Sequence, residues 1–96
     1  MALLDDVKIA LRISAATTSF NTEINDLISA AQQDLLVAGI KVTDTSDPLI
    51  KRAIVTYCKA HFGYDNPEAE RFEKAYNAIK LHLMLSSEYG GTADAV

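Results

Sequence analysis

The side chains able to do chemistry near neutral pH are few: Cys58, His61 and His82. Cys58 and His61 stand three apart in a segment of helical spacing, so both can share one face. A zinc site wants about four such ligands, and the chain offers no second pair. We therefore expect no metal and no cofactor. Cys58 should pack as a small buried hydrophobe, His61 as a partly buried core residue, and His82, between Leu81 and Leu83, at a helix junction or in solvent. Among the carboxylates, Asp5 with Asp6, and Glu68, Glu70 and Glu73, cluster toward helix starts, where the helix dipole accounts for them. There is no glycine-rich phosphate loop, no His-Glu-x-x-His and no Gly-x-Ser-x-Gly. These residues describe no reaction, and an enzyme is not expected. One basic patch, Lys51, Arg52 and Lys59, reads either as a solvated helix edge or as a face for phosphate or an acidic partner.

The stretch that carries most of these residues is Asp47 to Gly63. Asp47 can cap the freed donors of a first turn, Pro48 suits a position without a donor partner, and Gly63 can close the far end. Ile50, Ala53, Ile54, Tyr57, Cys58 and His61 keep the spacing of one helical face. Leu49, Val55, Ala60 and Phe62 widen it, leaving a narrow polar stripe of Arg52, Thr56 and Lys59. A helix so apolar must be covered by others, and it is the natural centre of the fold.

Around it the pattern predicts three more helices. Ala2–Ile13 sets Leu3, Leu4, Val7 and Leu11 on one side with Lys8 and Arg12 turned away. Ser14–Ser19 is a loop of hydroxyls, and Ser19 or Asn21 should cap a helix that runs to Ala38 and stops at Gly39. Ile40–Thr43 reads as a short extended segment, and Tyr64–Pro67 as a turn. Asn66-Pro67-Glu68 then opens a fourth helix that buries Phe72, Ala75, Tyr76, Ile79 and Leu83. Leu81, Met84 and Leu85 fall off that face. The expected fold class is all-α, a compact four-helix domain over residues 1–85 with a flexible tail over 86–96.

With 96 residues, 49% apolar and 23% charged, the chain is one ordinary globular unit. Its net charge of −4 argues against a general affinity for nucleic acid. Residues 1–47 carry three basic and seven acidic side chains, while 48–96 carry six of each. A lone cysteine rules out an internal disulfide, and no apolar run is long enough to span a bilayer or opens with a leader pattern. The expectation is a protein made in the cytoplasm, without a membrane partner.

The order of segments resembles the head-tail connector (adaptor) proteins of tailed bacteriophages and prophages. The resemblance rests on Leu4-x-x-Val7-Lys8-x-x-Leu11-Arg12-Ile13, on the long helix containing Ile24-Asn25-Asp26-Leu27-Ile28, and on Pro48-x-Ile50-Lys51-x-Ala53-Ile54, and it runs over roughly residues 3–85. It departs from the family at Ser14–Ser19 and at His61–Pro67. It implies a structural subunit of the virion head-tail junction, made in the bacterial host cytoplasm. Such a subunit would form a ring of around a dozen copies beneath the portal protein, dock the stopper or tail, and let DNA pass without specific binding. On that basis Leu3, Leu4, Leu81, Met84 and Leu85 are candidate subunit contacts. Tyr89, Gly90 and Gly91 are candidates for a portal-docking tail that orders on binding. The alternative class is a small cytoplasmic helical regulatory or DNA-binding module.

Overall fold

Asp47 starts the helix on which the others pack. In the computed structural model, which describes residues 3–41, 44–63, 66–86 and 89, the elements are α1 (Leu3–Ala10), α2 (Asn21–Val37), α3 (Pro48–His61) and α4 (Ala69–Leu85). Asp47 sits in extended backbone, and its Oδ1 accepts from Leu49 N at 2.9 Å and Ile50 N at 3.3 Å. A cap of this kind stabilises a helix by about 1 kcal/mol.

Ile50, Ala53, Ile54 and Cys58 of α3 are fully buried. They meet Ile24, Ala31 and Leu35 of α2, Val7 of α1, and Tyr76 and Leu83 of α4 in one core. Each large side chain so enclosed contributes about 1.5–3 kcal/mol of transfer free energy. α2 runs antiparallel to α3: Phe20 packs edge-on to Phe62 at 5.4 Å, and Gly63 N donates to Glu23 Oε2 at 3.4 Å. α4 doubles back along α3. Its Tyr76 ring lies edge-on to Tyr57 at 5.1 Å, and Asn66 Nδ2 donates to Lys59 O at 2.6 Å in the turn between the two helices. α1 packs against both α2 and α3.

The sequence pattern errs mostly at helix ends and at charged residues. α1 stops at Ala10 instead of continuing to Ile13. Arg12 N donates to Ile9 O and Ile13 N to Lys8 O, a pair of bonds that closes the helix with Arg12 at φ 63, in the left-handed region. Ile13 thereby folds back against the core. α2 ends with the same pair of bonds, Gly39 N to Leu36 O and Ile40 N to Leu35 O, but here the left-handed position is a glycine at φ 94. Ile40, expected in an extended segment, is the fully buried residue that completes this closure.

Lys8 does not turn away. It is only 3% exposed, and its Nζ donates to Ala15 O at 3.2 Å and Thr17 O at 2.6 Å, tying the 14–19 loop to α1. Neither Ser19 nor Asn21 caps α2; Phe20 takes that position with no side-chain bond. α4 begins at Ala69, because Asn66 Oδ1 accepts from Glu68 N at 3.0 Å and holds Asn66–Glu68 as a turn ahead of the helix. Tyr76 and Leu83 are buried as expected, Phe72 and Ile79 are half-buried, and Ala75 is exposed. Val42, Thr43, Tyr64, Asp65 and most of the tail, including Gly90 and Gly91, lie outside the described residues.

A side chain with a Cβ is disfavoured at a left-handed position that glycine occupies freely. Arg12→Gly should therefore raise stability by roughly 0.5–1 kcal/mol, after allowing for the greater freedom of glycine in the unfolded chain. Urea unfolding checks this: the midpoint should rise at unchanged slope, and a lower midpoint would show that the Arg12 side chain contributes more than its backbone costs.

Candidate functional site

The residues that could do chemistry are not brought together. Cys58 is fully buried, and desolvation pushes its thiol up to about 12, so it is an inert packing group. His61 is exposed, not partly buried: at the last turn of α3 its ring lies 4.3 Å from Tyr57, outside the core. His82 is exposed beside Arg52 in a hollow between α3 and α4. Among the described residues no group of three or more His, Cys, Asp or Glu side chains could hold a metal ion, and no helix is long and apolar enough to cross a membrane.

One polar cluster is built with care. Tyr76 Oη donates to Asp34 Oδ2 at 2.6 Å, and Lys80 Nζ donates to the same oxygen at 3.0 Å, joining α2 to α4. Lys80 also lies 5.3 Å from the Tyr76 ring centre. The Tyr76 hydroxyl, opposed by partial burial and aided by Lys80, holds the Asp34 carboxyl below its usual range. Burial, with the Asp34 bond, pushes the Tyr76 hydroxyl well above its usual range. The cluster ties α2 to α4, so its role is positional.

The three members of the expected basic patch have separate surroundings. Lys51 Nζ lies 3.2 Å from Asp6 Oδ2, close enough for an ion pair though not aligned as a hydrogen bond, and links α3 to α1. Arg52 is exposed in a hollow of about 280 Å³ with Leu49, Ala78, Ile79 and His82. Lys59 lies 5.3 Å from the Phe72 ring centre in a second hollow of about 410 Å³.

The expected subunit contacts also divide. Leu3, Leu4 and Met84 are half-buried against the domain's own core. Leu81 and Leu85 are 55% and 62% exposed, one turn apart on the side of α4 away from buried Leu83. The sequence pattern missed Ile9, Leu36 and Val37, which are also largely exposed. Ile9 follows buried Val7 and Lys8, and Leu36-Val37 follows buried Leu35, so helical angle alone could have turned them outward. Tyr89, from the expected tail, is fastened: its carbonyl accepts from Lys41 N at 2.9 Å and its hydroxyl lies 3.1 Å from each oxygen of Asp47.

What the helices define is a domain with a closed core and apolar side chains left on its flanks. The phage connector protein family matches residues 3–90, nearly the whole chain, and the chain belongs to that family. No curated protein and no solved structure matches it.

Two consequences can be measured. The Asp34 carboxyl has a lowered native value, so the stability it contributes is present above about pH 4 and is lost as pH falls through that value. Tyr76→Phe should lower stability at neutral pH by about 1 kcal/mol, discounted for the partial exposure of Asp34, and the difference from the parent should shrink on acidification below about pH 4. A pH-independent difference in urea midpoint would assign the loss to packing instead. Cys58 should resist thiol reagents in the folded protein and react at the rate of unfolding; fast labelling in native buffer would contradict its burial.

Proposed function

We propose that this chain is a non-catalytic structural subunit of the head-tail junction of a tailed phage or prophage. It would assemble as a ring of around a dozen copies beneath the portal, extend the DNA channel and dock the stopper or tail. The observation that carries this reading is the connector-family match over residues 3–90. The surface left on α4 supports it: Leu81 and Leu85 gain by being covered, at about 1.5–3 kcal/mol for a fully buried leucine. Leu3, Leu4 and Met84 would contribute the part of their surface that the core leaves open. A net charge of −4 suits a channel wall along which DNA slides, because binding to its backbone requires neutralisation by cations.

On this reading Tyr89 marks where the segment with Gly90 and Gly91 leaves the domain to meet the portal. The protein would be made in the host cytoplasm and end in the virion.

Native mass spectrometry with electron microscopy tests the proposal, with and without the cognate portal. Rings of many copies are expected. Leu81→Asp and Leu85→Asp should abolish or strongly weaken them while changing monomer stability by no more than about 0.5 kcal/mol, since both side chains are exposed. Rings unaffected by either substitution would remove this ridge from the interface. A monomer at every concentration, portal present or not, would overturn the reading.

A further inference from the structure

At the C-terminal end of α3 a furrow opens between the α1 closure and the start of α4. Its floor carries Lys59; Arg52 lies seven residues earlier, about 10 Å away along the axis, in the separate hollow walled by α4. At the Lys59 end the walls are Arg12 of the α1 closure and Phe62, Arg71 and Phe72. Phe72 has Lys59 at 5.3 Å and Arg71 at 5.1 Å from its ring centre, so two cations share one aromatic ring. The carboxylate lining this hollow, Glu68, is already paired with Arg71. Among the described residues Arg12, Arg52 and Lys59 have no carboxylate partner. Arg12, the left-handed residue other than glycine among the described residues, stands at the lip of the same hollow.

An acidic protein has thus gathered unneutralised positive charge over a partly aromatic surface. The complementary charge lies elsewhere on the same chain. Of the carboxylates on α1 and α2, Asp6 meets Lys51, Glu23 meets Gly63, and Asp34 meets Tyr76 and Lys80. Asp5 and Asp26 are exposed and have no partner among the described residues. Asp5 stands one turn before exposed Ile9, which adds an apolar element to match the aromatic wall.

We infer that the furrow receives the α1–α2 edge of a second copy, with Asp5 and Asp26 meeting Lys59, Arg71 and Arg12. This deepens the ring reading and rests on it. The two patches are different surfaces of each copy, centred on Lys59 and Arg71 of α3 and α4 and on Asp5 and Asp26 of α1 and α2, so the contact is head-to-tail and one copy can join two neighbours. Duplex DNA fits the furrow less well, because the chain as a whole repels it and the walls are partly apolar.

Charge exchange in the full-length protein tests this. Lys59→Glu and Arg71→Glu should each weaken self-association roughly tenfold and reduce its salt dependence, and adding Asp26→Lys or Asp5→Lys to Lys59→Glu should restore part of the loss. A zero-length carbodiimide linker applied to mixed light and heavy copies should join Lys59 of one to Asp5 or Asp26 of another. Rings of unchanged stability in both reversals, with no such cross-link, would overturn the furrow contact and leave the ring reading standing. Monomers under all conditions would overturn both. Duplex DNA retarded by the parent but not by Lys59→Glu, with association unchanged, would assign the furrow to nucleic acid and overturn the proposal.

Discussion

The constraint from which the structure follows is that α3 is apolar around most of its circumference and cannot face water alone. Ile50, Ala53, Ile54 and Cys58 are sealed only because α1, α2 and α4 each give up an apolar stripe to them. The remaining arc, from Leu49 through Arg52 and Thr56 to Lys59, is the part that three helices of this size leave open. The domain is therefore finished as a folding unit and unfinished as a surface. Its core is closed over by the four helices, while leucines, an isoleucine and several arginines and lysines remain on the outside. On the proposed reading, that division leaves the flanks to make the contacts between copies.

Polar groups fix the angles at which these helices meet. Tyr76 and Lys80 converge on one oxygen of Asp34 and set α4 against α2; Lys51 reaches Asp6 and sets α3 against α1. Hydrophobic burial is indifferent to small rotations, whereas a shared hydrogen-bond acceptor is not. On the proposed ring reading, small angular errors would add from copy to copy, so such ties would matter more than their modest energies suggest.

The legible part of the sequence was the part that obeys a period. Ile50, Ala53, Ile54 and Cys58, and Ile24, Ile28, Ala31 and Leu35, announce their helices by spacing, and Asp47-Pro48 announces the start of α3. Where the chain stops a helix without a glycine, the signal disappears: Leu11 and Ile13 keep the apolar rhythm of α1, yet Arg12 has already turned the backbone left-handed. Lys8 was misread for a related reason. A lysine is assumed to seek water, but two carbonyls of the 14–19 loop offered its ammonium an alternative that only the tertiary fold creates. Leu81 and Leu85 stood out as surplus, since they fall away from the Tyr76–Leu83 face, whereas Leu3 and Leu4 could not be divided between core and surface without knowing how α1 lies.

Tyr89 connects the far end of the described chain to the first residue of the central helix's capping turn. Its hydroxyl shares Asp47 with the amides of Leu49 and Ile50, and its carbonyl holds the segment that follows α2. A pull on Tyr89 would thus be shared between Asp47, at the root of α3, and Lys41, just after α2. The position of Tyr89 and the start of the central helix are thereby coupled.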